Sequence, residues 1–132
     1  MFMLSILGGV NVHFTWEPSD PSYFNNGSDA KLVWDYADPA KNKIQRITYS
    51  VLVNGEFLRM IVNGSHGVLE HPEIPLSFRG RVKIEGRATL VIYNINPGDN
   101  TNFRCELIGS FLYLVQSTVQ LDVAGTHNRH NH

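Results

Sequence analysis

An all-β fold is what this sequence predicts, on three observations. Strand-length runs alternate apolar with other side chains, as in Val10–Trp16, Ala30–Tyr36 and Ile47–Val51, the period-2 signature of a half-buried strand. Prolines and Asn-Gly pairs stand between the runs, where the chain must turn. The stretch Phe78–Leu107, FRGRVKIEGRATLVIYNINPGDNTNFRCEL, reads as three short strands separated by turns, with Asp99 six residues and Phe103 two residues before Cys105. At 132 residues the chain has room for one domain with a core.

The elements follow in order. Val10, Val12, Phe14 and Trp16 share one face of a first strand, which Pro18, Pro21 and Asn25-Asn26-Gly27 end, because proline cannot donate to a ladder and Asn-Gly accepts positive φ. Ala30, Leu32, Trp34 and Tyr36 form the inner face of the next strand, and Ala37–Arg46 is a polar loop. Ile47, Tyr49 and Val51 alternate again, and Asn54-Gly55 is a two-residue hairpin turn leading into Glu56–Val62. Phe57, Leu58, Met60 and Ile61 are too continuous an apolar run for a half-buried edge, so some of them are expected to meet solvent or a partner.

A second Asn-Gly, at Asn63-Gly64, opens a loose loop through Pro75. Phe78–Arg87 and Ala88–Asn94 supply two strands, with Leu90 and Ile92 inward, and Phe103, Cys105 and Leu107 alternate in a third. After a turn near Gly109-Ser110 the last strand, Ser117–Val123, places Val119, Leu121 and Val123 inward. The apolar run Phe111–Val115 before it is unusual for a loop.

Composition excludes several function classes. With 42% hydrophobic and 17% charged residues and a net charge of −1, nothing draws the chain to nucleic acid or an anionic membrane. Arg79, Arg81, Lys83 and Arg87 alternate with Val82 and Ile84 as solvated strand positions do, without interleaved stacking aromatics. No stretch approaches the roughly 20 apolar residues that cross a bilayer. Residues 1–9, MFMLSILGG, are read as a signal remnant or an N-terminal extension, and residues 125–132, ending THNRHNH, as a tag-like or disordered tail. The domain proper is residues 10–124.

No constellation points to catalysis, so no enzyme is expected. Ser65, His66, Glu70, His71 and Glu73 share a loop without the spacing logic of nucleophile, base and orienting group. No cofactor or metal site is expected either. The single cysteine, Cys105, cannot form an intrachain disulfide, and alternation points it inward as a small hydrophobe. Two acceptor sequons, at Asn26 and Asn63, favour an extracellular setting.

The D-x-x-x-[YF]-x-C pattern at Asp99–Cys105, after an L-x-I strand and with Arg81 upstream, resembles the immunoglobulin V-set. The resemblance covers Val10 to Ala124 and implies a two-sheet, V-type Greek-key sandwich in which Val10–Trp16 is strand A, Gly27–Tyr36 strand B, Ile47–Val53 strand C and Glu56–Val62 strand C′. Phe78–Arg87 would be strand D, Ala88–Asn94 strand E, Phe103–Leu107 strand F and Ser117–Val123 strand G. It also implies that Arg81 pairs with Asp99 across the bottom of the sandwich, a bidentate geometry lysine does not reproduce, in preference to calcium ligation by Asp99-Asn100.

The chain departs from the family at three positions. Trp34 stands where the B-strand cysteine belongs, so the B–F disulfide is absent by substitution, and its usual contribution of about 2–4 kcal/mol must come from elsewhere. Tyr49 falls near the usual core tryptophan of strand C, and Phe103 replaces the corner tyrosine, whose hydroxyl bond is lost.

The runs K-L-V-W-D-Y, Y-S-V and F-R-G-R-V-x-I-E-G-x-A-T-L-V-I-x-N-I-x-P-x-D resemble invertebrate cell-surface allorecognition receptors of the immunoglobulin type. That resemblance implies an extracellular domain of a membrane-anchored receptor, binding another copy of itself or a related receptor as a weak homodimer, with the membrane reached only through segments outside this chain. The G-F-C-C′ face it would use includes Tyr49, Phe57, Leu58, Met60, Phe111, Leu112 and Tyr113, with Arg59 and Arg104 as polar partners. Two alternatives stay open: a secreted immune or glycan-binding pattern-recognition domain, and a structural domain of an intracellular filament.

Overall fold

The computed structural model describes residues 11–41, 43–110 and 113–124, with Tyr113 and Leu114 described for backbone alone. Among the described residues ten strands form two sheets: β1 His13–Trp16, β2 Ser22–Asn25, β3 Ala30–Ala37, β4 Arg46–Val53, β5 Glu56–Gly64, β6 Gly67–Glu70, β7 Val82–Glu85, β8 Ala88–Ile92, β9 Asn102–Ile108 and β10 Tyr113–Ala124. One sheet has the order β1-β3-β8-β7 and the other β2-β10-β9-β4-β5-β6. That is the A-B-E-D sheet facing a G-F-C sheet extended by C′ and C″, the V-type arrangement.

The alternating positions meet between the sheets. Leu32, Trp34, Tyr49, Val51, Leu90, Ile92, Phe103, Cys105, Leu107, Val119 and Leu121 are all buried there. The Asn54-Gly55 hairpin forms as expected, with φ of 51° and 82°, a turn in which both central residues need the left-handed region. No disulfide is present, and Cys105 is a buried free thiol.

Trp34 occupies the centre. Its ring lies 5.8 Å from that of Tyr49, tilted by 50°, and its Nε1–H donates to Ser117 Oγ of the opposite sheet at 2.8 Å. Ser117 in turn donates to a carboxylate oxygen of Glu17, in the connection after β1. Among the described residues the buried Tyr49 hydroxyl has no hydrogen-bond partner; the Cys105 thiol and the Tyr36 phenol are the polar groups that act on it.

The corner below the core is built as the Arg81–Asp99 pairing requires. Arg81 Nη2 donates to Asp99 Oδ2 at 2.7 Å and Nη1 to Oδ1 at 3.3 Å. Its remaining donors reach the carbonyl oxygens of Ser77, Tyr93 and Asn94, so all five guanidinium N–H groups are used. Buried Asp99 also accepts from Asn96 N, while the Asn96 side chain accepts from Gly98 N, a reciprocal cap on the single turn Pro97–Asp99. Phe103, without a hydroxyl, packs edge-on against Phe78 at 5.7 Å and 87°.

Several expectations are corrected. Trp16 points outward, 63% exposed, because a register shift between Phe14 and Trp16 breaks the alternation that keeps Val12 and Phe14 against the core. The segment read as a break after Pro21 includes β2, which pairs in parallel with β10 from Ser22↔Leu121 to Asn25↔Ala124. Asn63-Gly64 is the end of β5, and the turn falls at Ser65-His66, with Gly67 at φ 86° opening β6. Strand D is shorter than Phe78–Arg87, since Phe78 lies in a single 3-10 turn, Leu76–Phe78. Strand G begins earlier, at Tyr113. Val10 and the segments 1–9 and 125–132 lie outside the described residues.

Two outcomes follow from the core. Lysine at position 81 has three donors for five acceptors, and Arg81→Lys is expected to cost about 3 kcal/mol, the low end for breaking a buried pair, measured by urea denaturation with an unchanged slope. Burial pushes the Cys105 thiol from its ordinary 9.0 up to about 12, and pushes the Tyr49 phenol upward as well. The folded state therefore holds these protons more tightly than the unfolded state. Their contribution is complete below about pH 9 and lost as pH rises toward 12. Denaturation midpoints are expected to be level up to pH 9 and to fall above it, and thiol labelling at neutral pH to require denaturant; rapid labelling of the native chain would contradict this.

Candidate functional site

Period-2 alternation that sends Tyr49 inward sends its neighbours outward. In the six-stranded sheet the ladder registers align two rows on the outer face, Thr118–Arg104–Ser50–Arg59 and Gln116–Glu106–Thr48–Val62–Leu69. Arg104, on β9, places its guanidinium 3.6 Å over the Phe57 ring, on β5. The strand between them is β4, so the arginine stem spans it. This accounts for Ser50, a polar residue of the outer face opposite Arg104 that is only 2% exposed; Thr48, between Glu106 and Val62 in the next row, is buried as well.

Arg104 is held on three sides. Besides Phe57, its Nε donates to Thr118 Oγ1 at 3.3 Å, and Nη1 lies 3.7 Å from Glu106 Oε2. Arg46 and Arg59, exposed on the same face, have no ion pair among the described residues. They border a cleft of about 360 Å³ whose floor includes Thr48 and whose walls include Val62, Leu69 and Pro72. A smaller cleft of about 180 Å³ adjoins it across Leu69 and runs along the β5–β6 turn. Leu69 is 58% exposed on β6, the edge strand.

The residues expected to form a partner surface divide. Arg59, Arg104 and Phe57 lie together on the outer face. Tyr49 and Met60 do not belong to it, since both are fully buried in the core. The reason at Met60 is a register irregularity in the β4–β5 ladder that leaves it between the pairs Tyr49↔Ile61 and Ser50↔Arg59, so that Met60 and Ile61 are buried in succession. Leu58 is opposite inward-facing Val51 and belongs to the core side. Phe111 and Leu112 lie outside the described residues, as does the side chain of Tyr113, whose backbone pairs with Ile108.

Thr48, Ser50, Glu106, Arg46, Val62 and Leu69 were missed by sequence reasoning that followed the apolar positions, although alternation about Tyr49 already marks Thr48 and Ser50 as outward.

The remaining candidates are structural. His71 Nδ1 accepts from Glu73 N at 3.0 Å and Glu70 Oε2 from Gly80 N at 2.7 Å; each is tied into a turn. Among the described residues no three His, Cys, Asp or Glu gather to hold a metal, and no helix is long and apolar enough to cross a membrane. Asn26 is exposed beside β2, at the sheet edge opposite β6, and Asn63 is half-buried at the end of β5.

Core and face separate under mutation. Tyr49→Ala and Met60→Ala are expected to cost about 3–5 and 2–5 kcal/mol as cavity-forming changes, and Arg59→Ala to stay within about 0.5 kcal/mol, all read from denaturant midpoints.

No protein-family model and no curated protein matches the chain. Solved structures do. Murine CRIg superposes with a TM-score of 0.72 at 16% identity, covering 86% of this chain and 99% of that one. The two tandem V-type regions of VCBP3, a v-region-containing chitin binding protein, give 0.66 at 20% identity, covering 86% of this chain and 46% of theirs. A chain from a structure of T cell specificity and activation by the superantigen toxic shock syndrome toxin-1 gives 0.63 at 13% identity, covering 86% of this chain and 98% of that one. At these identities the likeness speaks for architecture, and with the strand order and the Arg81–Asp99 corner it shows that the chain has the immunoglobulin V-type fold.

Proposed function

We propose that this chain is an extracellular recognition domain that binds a protein partner through the outer face of its six-stranded sheet, anchored at a cell surface by segments beyond it. The observation that carries the reading is the face itself. Arg104 stacked on Phe57, with exposed Arg59 and Leu69 beside it, combines the arginine and aromatic anchors that concentrate binding energy in protein interfaces. A glycan at Asn26 would sit at the opposite sheet edge and leave this face clear. The finer form of the proposal is that the partner is a second copy of this chain, in weak self-recognition.

One observation favours a second reading, glycan binding at another surface. Trp16 and Tyr23, 63% and 72% exposed, frame an open cleft of about 250 Å³ with Pro18, Lys31 and Val33, and aromatic faces held in solvent suit the apolar faces of sugar rings.

Light scattering over a micromolar concentration series, with a bead assay on immobilised chain, tests the first reading. Self-pairing predicts a mass that rises with concentration, bead clustering, and a loss of tenfold or more in affinity for Arg104→Ala, the scale of an interface anchor at about 1.4 kcal/mol or above. A strict monomer at high micromolar concentration that ignores beads bearing itself overturns self-pairing. Binding on a glycan array that Trp16→Ala abolishes would favour the second reading.

A further inference from the structure

We infer that the cleft between Arg46 and Arg59 receives an acidic side chain of the protein partner, one flanked by aliphatic residues. This rests on the proposed reading that the outer face meets a protein.

The face carries three arginines, and their circumstances differ. Arg104 already has Glu106, Thr118 and the Phe57 ring. Arg46 and Arg59 have no such partners among the described residues, yet both border the same 360 Å³ cleft. That volume lies within the roughly 300–1,000 Å³ of small-ligand pockets. Two unneutralised guanidinium groups beside one recess make an electrostatic complement for a carboxylate, whose two oxygens match the guanidinium fork.

The remaining walls narrow the ligand class. Val62, Leu69 and Pro72 form an apolar side of the cleft, which suits aliphatic neighbours of the acidic residue. Glu70, on the rim, sets one carboxylate against the two guanidinium groups and is already bonded to Gly80 N. That negative charge and the apolar wall both disfavour a polyanion such as a sulfated glycan, whose several charges would meet them directly. Thr48 beneath adds a hydroxyl, and His71, whose Nδ1 already accepts from Glu73 N, keeps Nε2 as its ring donor.

The test is an NMR titration of the isotopically labelled chain with acetyl-Leu-Glu-Val-amide and, in parallel, acetyl-Leu-Gln-Val-amide. The glutamate peptide is expected to shift amide resonances of Arg46, Thr48, Arg59, Val62 and Leu69. It should bind about fivefold more tightly than its glutamine counterpart, the upper scale for a solvent-exposed ion pair, with the difference shrinking as salt is added. The R46Q/R59Q double variant should melt like the parent and lose the difference. Equal responses to the two peptides, no response at the peptide solubility limit, or a response only to sulfated heparin fragments would each overturn the inference. The test also separates this inference from the reading beneath it. Self-pairing that survives R46Q/R59Q removes the cleft's role and leaves protein recognition standing. Glutamate-peptide binding by a chain that pairs with no protein keeps the cleft and removes that reading.

Discussion

The contact on which this structure depends is the one between Trp34 and Ser117. An immunoglobulin sandwich is commonly joined through its centre by a disulfide between strands B and F. Here the B-strand position holds an indole that packs against Tyr49 and donates across the gap to a serine of strand G, which passes the bond on to Glu17. Burial of a residue that removes about 150–250 Å² from water, with its one polar atom satisfied, ties the sheets without a covalent bond. The consequence reaches Cys105. Freed from pairing, it becomes a filler whose thiol is held protonated by burial, beside a tyrosine whose hydroxyl is likewise held neutral.

The lower corner complements that centre. All five donors of Arg81 are committed, to both oxygens of Asp99 and to three backbone carbonyl oxygens. One side chain thereby fixes the approach to strand D, the end of strand E and the turn before strand F. Phe103 then needs no hydroxyl to hold the corner, because Phe78 packs on it and Arg81 lies 5.5 Å above the Phe78 ring. The frame is held from below and within.

That face divides electrically. At its centre Arg104 is stacked and paired, the state of a pre-organised anchor that loses little freedom on binding. Toward strands C′ and C″, Arg46 and Arg59, without an ion pair among the described residues, border a partly apolar recess that Glu70 also lines. A rigid aromatic–arginine centre beside a cleft bordered by two arginines and one glutamate gives a surface two separate means of recognition, shape at one end and charge at the other.

Much of the fold was legible in the sequence. Alternation placed Leu32, Trp34, Tyr49, Val51, Leu90, Cys105, Val119 and Leu121 inward, because the period of a strand is local and a buried face must be apolar. The Asn54-Gly55 turn was legible for the same reason, since its backbone demand is met by two residues. The family resemblance supplied the Arg81–Asp99 pair and the meaning of Trp34. What escaped was non-local. Trp16 and Met60 turned against expectation because bulges arise from the fit between two strands, and β2 exists only through its parallel pairing with β10. The candidate site was legible in part, at Phe57, Arg59 and Arg104. The meeting of Arg46 and Arg59 at one cleft, and the covering of Ser50 by a side chain reaching over a neighbouring strand, were decided by the tertiary structure alone. Exposure and charge pairing depend on which strands lie side by side, and the sequence by itself determined which face each residue was offered to.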